Sequence, residues 1–254
     1  MLVAGIDVGA ATAKTVILNE RGVIVGSSIA PTGPNVVEIA KKVFRVSLDK
    51  AGVSADRVGR IVATGYGRNS VDFADQAVTE ITCHAKGAAH VIPETKMIID
   101  IGGQDSKAIR VSEEGTVSDF VMNDKCAAGT GRFFEVMAGV LELSLEELGF
   151  VSLTAESVCK ISSICTVFAE SEVISLRAER QRVEDIIAGI HSSCAKRICA
   201  MASQIGITSP VVFTGGVAKN KGMQKALEEE FNTQLIIPEE PQLMGALGAA
   251  LIAR

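Results

Sequence analysis

Met97-Ile98-Ile99-Asp100-Ile101-Gly102-Gly103-Gln104-Asp105-Ser106-Lys107 is an apolar run that ends in a carboxylate, passes through a glycine-rich turn and re-emerges at a lysine. The start of the chain, Leu2-Val3-Ala4-Gly5-Ile6-Asp7-Val8-Gly9-Ala10-Ala11-Thr12-Ala13-Lys14, has the same order. Asp7 falls on Asp100, Gly9 on Gly102 and Lys14 on Lys107, so both copies read Asp-[Val/Ile]-Gly-x-x-x-x-Lys. Each copy continues alike. A second strand (Thr15 to Leu18; Ala108 to Val111) meets a hairpin turn at Asn19-Glu20-Arg21-Gly22 or Glu113-Glu114-Gly115. A third strand follows, Val23 to Ile29 or Val117 to Met122. An internal duplication of a strand meander is the simplest account, and it predicts a two-lobed α/β fold. The chemistry suits the spacing: a glycine-rich hairpin lets backbone N–H groups approach phosphate oxygens, and an Asp at the strand end can hold hydrated Mg²⁺.

Outward from these hairpins, helical apolar spacing runs from Val36 to Ala51 and from Thr79 to His90, with a strand at Arg60 to Ala63 between them. The second half predicts a short helix at Leu145 to Leu148 and a long one from Val183 to Gln204. The strand Pro210 to Thr214 ends in Gly215-Gly216 before a helix, Lys219 to Phe231. A strand at Gln234 to Ile237 and an Ala/Gly-rich helix, Met244 to Ala253, follow. The expected division is a first lobe over 1–94 and a second over 95–241, with the helix near 242–254 packing back on the first.

Of the 254 residues 47% are apolar and 22% charged, a globular composition. A net charge of -5 without a basic run argues against nucleic acid or an anionic membrane as partner. No apolar stretch approaches the ~20 residues that span a bilayer, and the first residues lack a signal peptide's regions, so a cytoplasmic location is expected. Six cysteines in such a chain read as reduced thiols. Cys83, Cys159 (on an apparent strand), Cys194 and Cys199 read as small buried apolar residues. Cys126 and Cys165 differ. Cys126 lies in Asn123-Asp124-Lys125-Cys126-Ala127-Ala128-Gly129-Thr130-Gly131, a small-residue turn that runs into the helical pattern Phe133 to Val140. Cys165 follows Ser162-Ser163-Ile164 and precedes the helical run Val167 to Arg177. A thiol at a helix N-terminus favours its thiolate, and these two thiolates read as metal ligands.

These motifs resemble the ATPase superfamily of sugar kinases, acetate kinase, actin and the heat-shock chaperone ATPases. Asp7-Val8-Gly9 looks like its first phosphate motif, Asp100 to Asp105 its second, and Phe213-Thr214-Gly215-Gly216-Val217 its adenosine motif. The resemblance is much closer to one branch, the activator (component A) ATPases of 2-hydroxyacyl-CoA dehydratases, and runs nearly end to end. Its most specific strings are Ala63 to Arg68, Asp100 to Asp105, Asn123 to Phe133, Ile161 to Ser175 and Gly245 to Ala250. The resemblance implies duplicated actin-like (ribonuclease H-like) lobes, each a mixed five-stranded sheet with flanking helices around a nucleotide cleft. It also implies a homodimer with one [4Fe-4S] cluster between subunits, ligated by Cys126 and Cys165 of each. A ferredoxin or flavodoxin would reduce the cluster. ATP binding and hydrolysis would change the dimer's shape, and one electron would pass to a partner iron–sulfur enzyme such as a 2-hydroxyacyl-CoA dehydratase or, alternatively, a benzoyl-CoA reductase-type or double-cubane cluster protein. Two thiolates per chain leave a four-thiolate cluster half ligated, which agrees with a two-fold dimer.

The residues then take expected roles. Asp7 and Asp100 hold Mg²⁺ and phosphate, with Gly9, Ala10, Thr12, Gly102 and Gly103 around the phosphates. The family often carries Ser or Thr where this chain has Ala10-Ala11, so a hydroxyl contact is missing or moves to Thr12. Gln104 orients an attacking water or is a plain turn residue, and Asp105 polarises that water or bonds the loop. Lys14 meets phosphate or stays a solvated charge; Lys107, opening a strand, reads as solvated. Gly129, Thr130, Gly215 and Gly216 border the adenosine, and Glu135 bonds a ribose or is an exposed helix glutamate. Glu170 and Glu172 read as surface charges. Two rival readings stand beside the activator: a small-molecule kinase of the same fold, such as one acting on sugars or acids, and a nucleotide-gated scaffold with core cysteines.

Overall fold

The computed structural model describes residues 1–162 and 165–254 of the chain. Ser163 and Ile164, part of the loop read ahead of Cys165, lie outside the described residues. The first sheet begins with β1 (Leu2–Val8), β2 (Thr12–Leu18) and β3 (Ile24–Pro31), continues after α1 (Val36–Ala51) with β4 (Val58–Thr64) and ends at β5 (Gln76–Ala77). Its order is β3-β2-β1-β4-β5. The β1–β2 and β2–β3 pairs are antiparallel, whereas β4 runs parallel to β1 and β5 parallel to β4. After α2 (Glu80–Val91) the second sheet opens with β6 (Met97–Ile101), β7 (Ser106–Val111) and β8 (Val117–Asn123). Helices α3 (Gly131–Leu141), α4 (Leu145–Val151), α5 (Thr166–Ala178) and α6 (Val183–Ala202) follow. The chain then runs through β9 (Val211–Thr214), α7 (Lys221–Phe231), β10 (Leu235–Ile236) and α8 (Met244–Ala253). The second sheet has the order β10-β9-β6-β7-β8, with β9 and β10 parallel, so both copies of the meander head a mixed five-stranded sheet.

The chain divides into two compact units. One comprises Met1–Ile98, Ile109–Asp119 and Pro238–Arg254; the other comprises Ile99–Ala108 and Phe120–Ile237. In the first, α1 covers one sheet face with Ile39, Ala40, Val43, Phe44 and Leu48 against Ala4, Ile6, Val8, Ala13 and Ile17. Its ends are set locally: Asn35 Oδ1 accepts from the Glu38 N–H, and Gly52 closes the helix at φ 66°. The opposite face is covered by α8, whose Leu243, Met244, Ala246, Leu247, Ala249 and Ala250 pack with Val3, Val16, Leu18, Val62 and Cys83 of α2. Small residues let α8 lie almost backbone to backbone on α2: a Cβ on Gly248 would come 1.7 Å from the Cys83 carbonyl oxygen.

Two departures from the sequence reading bear on the site. Both hairpins are tighter than expected, so β2 starts at Thr12 and β7 at Ser106, which places Lys14 and Lys107 inside strands. Cys159 lies on no strand: its N–H donates to the Asp185 carbonyl, and the Glu156 and Ser157 N–H groups donate to the Asp185 carboxylate. The segment spends its donors on the start of α6, not on a ladder.

In the second unit His191 of α6 is 1% exposed, with Nδ1 3.1 Å from Ser152 Oγ and its ring 5.5 Å from that of Phe134. Burial pulls its pKa from the ordinary 6.5 down to about 3. The proton therefore favours the unfolded chain: the neutral ring's contribution is whole above about pH 6.5 and is lost as pH falls toward 3. Urea unfolding across that window is expected to lose on the order of 4–5 kcal/mol through this group, and His191→Phe to flatten that part of the profile. A second expectation contrasts two helix glycines. Gly248→Ala should cost about 1–3 kcal/mol by overpacking, while Gly139→Ala in α3, with nothing within 4 Å of the added Cβ, should gain about 0.5–1 kcal/mol. A common sign for the pair in equilibrium unfolding would refute this account of α8.

Candidate functional site: paired Asp–Lys hairpins and two cysteines

In the first hairpin Asp7 lies directly across from Lys14 in the β1–β2 ladder. The carboxylate is buried, and Lys14 Nζ lies 3.1 Å from its Oδ2. A carboxylate at the end of an apolar strand loses its hydration, and the cross-strand lysine replaces it. The turn is closed by the Gly9 N–H donating to the Thr12 carbonyl at 3.0 Å, while Thr32 Oγ1 donates to the Gly9 carbonyl at 2.7 Å. Ala10 is exposed at the tip and Thr12 half-buried at its foot.

The second hairpin repeats this geometry. The Gly102 N–H donates to the Asp105 carbonyl at 3.0 Å, so Asp105 stands where Thr12 stands in the first copy. Lys107, 3% exposed, places Nζ 3.3 Å from Asp100 Oδ2 and 2.7 Å from Asp105 Oδ2. The expectation of a solvated Lys107 is thus overturned: inside the strand and opposite the buried Asp100, it is the counter-charge of two carboxylates. Gln104 is exposed at the tip. Behind the turn, Thr214 at the end of β9 donates its hydroxyl to Asp100 Oδ1 at 2.9 Å. Gly215 then turns at φ 89° so close that a Cβ would lie 2.3 Å from the Ile101 carbonyl oxygen; only glycine fits there. Gly216 opens the 3-10 turn that leads toward α7. Asp100, Gly102, Asp105, Lys107 and Gly215 are therefore brought together around one turn.

The turn is also tied to the segment that carries Cys126. The Gly131 and Arg132 N–H groups at the start of α3 donate to the Gly102 and Gly103 carbonyls, both at 2.8 Å. Thr130 is fully buried with its hydroxyl on the Ala127 carbonyl at 2.6 Å, and Glu135 pairs with Arg132 on the exposed face. Cys126 itself does not begin α3, contrary to the sequence reading: small residues up to Thr130 stay in turns, and the helix starts at Gly131. Asn123 fixes Cys126 instead, its Oδ1 accepting from the Cys126 N–H at 3.2 Å and its Nδ2 donating to the Cys126 carbonyl at 2.8 Å. Arg197 of α6 donates from Nη2 to Cys126 Sγ at 3.7 Å. Cys165 is the residue preceding α5 and is exposed. Glu172, read as a surface charge, holds Ser162: the Ser162 N–H and hydroxyl donate to its carboxylate at 2.8–3.1 Å.

Of the other four cysteines, Cys83 and Cys194 are buried as expected, whereas Cys159 and Cys199 are only half-buried, contrary to the sequence reading. Burial pushes the Cys83 thiol up to about 11 and Cys194 up to about 12, and raises Cys159 and Cys199 as well. Among the described residues no three His, Cys, Asp or Glu side chains gather to hold a metal. Asn123 carries a local signal, an Asn placed to bond a backbone N–H a few residues on. Glu172 and Arg197 act from other elements, and no local signal in the sequence marks them. Lys107→Met is expected to leave two carboxylates facing each other and to cost about 3–5 kcal/mol. Lys14→Met, with one carboxylate to balance, should cost less. Urea unfolding that ranks the two the other way would refute the paired-charge account.

Comparison with known proteins agrees with this geometry. The chain is 46% identical over 253 residues to the 2-hydroxyisocaproyl-CoA dehydratase activator of Clostridioides difficile, covering 100% of this chain and 95% of that one. The structure of the 2-hydroxyisocaproyl-CoA dehydratase activator with bound ADPNP superposes with a TM-score of 0.94 at 46% identity, covering 100% of this chain and 94% of the other. Component A of the Acidaminococcus fermentans (R)-2-hydroxyglutaryl-CoA dehydratase gives 0.96 at 44% identity, with 100% and 97% covered. The resemblance and the two mixed sheets of an actin-like ATPase are thereby borne out. With its residues 4–253 matched by the family model, the chain belongs to the BadF/BadG/BcrA/BcrD ATPase family.

Proposed function

We propose that this ATPase delivers one low-potential electron to a partner iron–sulfur enzyme of the 2-hydroxyacyl-CoA dehydratase kind, coupling the transfer to ATP hydrolysis in the cytoplasm. The observation that carries the reading is the pair of backbone hydrogen bonds from Gly131 and Arg132 to the Gly102–Gly103 turn. They join a phosphate-type hairpin to the segment bearing Cys126. The near end-to-end likeness to dehydratase activators, one of them bound to an ATP analogue, supports the substrate and the partner class.

On this reading Asp7 and Asp100 hold Mg²⁺ through its water shell, and the backbone of Gly9 to Thr12 and of Gly102 to Gly103 faces the phosphates. Gln104 at the exposed tip orients the attacking water, with Asp105 beside it. The second hairpin sets two carboxylates against its lysine where the first sets one. Gly215 and Gly216 give the adenosine a flush backbone surface.

Cys126 and Cys165, with the same pair from a second copy, hold one [4Fe-4S] cluster, which supplies the one-electron redox step when bound. The donor set fits: Cys126 is half-buried with its backbone held by Asn123, Cys165 is exposed, and burial raises the other four thiols. A ferredoxin or flavodoxin reduces the site. Strain placed on the Gly102–Gly103 turn by the phosphates is passed to α3 and the Cys126 loop through two bonds, without a long lever. The protein purified without oxygen should be a brown dimer with about four irons per two chains, and it should activate a dehydratase only with ATP. Cys126→Ala and Cys165→Ala should each remove the iron while leaving the metal-free fold intact. A Cys126→Ala protein that keeps its iron, or ATP-independent activation, would overturn the reading.

A further inference from the structure

We propose that Arg197 is a positioning residue for the Cys126 sulfur and that its charge makes the bound cluster easier to reduce; this rests on the cluster reading above. Arg197 Nη2 donates to Cys126 Sγ at 3.7 Å, within the longer range of hydrogen bonds to sulfur. The two residues are 71 positions apart, so the contact is made by the fold and not by neighbours in sequence. Space for the arginine arm is provided by Gly129. At φ 88° this residue disfavours any side chain, and a Cβ there would approach Arg197 Cδ to 3.3 Å. Asn123 meanwhile grips the N–H and the carbonyl of Cys126. The backbone is held by an amide and the sulfur by a guanidinium, so the sulfur's direction is set before any metal binds.

The energetic consequence follows from charge. Adding an electron to the cluster makes it more negative, and a fixed cation bonded to one of its sulfur ligands stabilises that form more than the oxidised one. Hydrogen bonds to ligating sulfurs and the net local charge are both levers on a cluster's potential. Arginine suits the task because its guanidinium stays charged at every physiological pH. The effect is moderated by solvent, since Arg197 also lines an open cavity of about 700 Å³ with Lys125, Lys196 and Asp124.

The test uses the intact chain, loaded with iron and sulfide without oxygen, and a mediator titration followed by EPR. Arg197→Gln is expected to keep the wild-type melting temperature of the metal-free chain and its iron content. At a fixed solution potential its ratio of reduced to oxidised cluster should fall on the order of ten-fold, a midpoint ~59 mV more negative for one electron. Arg197→Lys keeps the charge but loses the planar fork and should recover part of the shift. If the wild type and Arg197→Gln both hold four irons and titrate at one potential, Arg197 has no such role while the cluster reading stands. Should Arg197→Gln not fold, Arg197→Met takes its place, and its titrating with the wild type overturns the proposal. A wild type that binds no iron overturns both readings.

Discussion

A carboxylate at the end of an apolar strand, out of water and facing a lysine across a hairpin, is the constraint on which the molecule depends. Asp7 and Asp100 are 4% and 3% exposed. Burying an unpaired carboxylate costs several kcal/mol, so each hairpin must place a cation seven residues on, directly across the ladder. That fixes register: sliding β2 by one residue would turn Lys14 to the other face and bury Asp7 alone. The turn between them is left short, with its tip exposed. On the proposed reading, fold and phosphate chemistry thus come from the same pair of charges.

The two copies have diverged where their tasks differ. Thr12 in the first is replaced by Asp105 in the second, and the lysine that balances one carboxylate in the first balances two in the second. The second turn is also the one bonded to α3 and backed by Thr214 and Gly215. On the proposed reading, the half that carries the thiols is also the half whose hairpin carries the second carboxylate.

The duplication was legible in the sequence because it repeats at fixed offsets, and a repeat survives any uncertainty over where a strand begins. Helices α1 and α8 were legible to the residue, since apolar spacing and small residues fix them locally. Lys107 was misread because its partner sits on a neighbouring strand and the hairpin is tighter than its composition suggests. Cys126 reads as a thiol at a helix N-terminus, but the turn through Gly129 and the buried Thr130 separates it from α3, which begins at Gly131. Cys159 was given a strand because its apolar neighbours mimic one, while Asp185, far along the chain, takes up the segment's donors. Asp185, Glu172 and Arg197 share one character: each acts at a distance in sequence on a backbone or sulfur atom, and no periodicity encodes that.

The thiols sit on different elements, yet those elements are not independent. Helix α5, which Cys165 precedes, packs against α3, and Arg177 near the end of α5 donates to the Val140 carbonyl in the last turn of α3 at 2.6 Å. A charge-assisted bond to a helix C-terminus resists separation of the two ends. The start of α3 is held by the Gly102–Gly103 turn and its end by α5, so a shift of the turn has no slack helix in which to dissipate. On the proposed reading, the phosphate turn therefore acts on Cys126 through the loop ahead of α3 and on Cys165 through the packing behind it. Two ligands of one cluster would move together, which a rigid cluster demands and a pair of loops on separate supports would not supply.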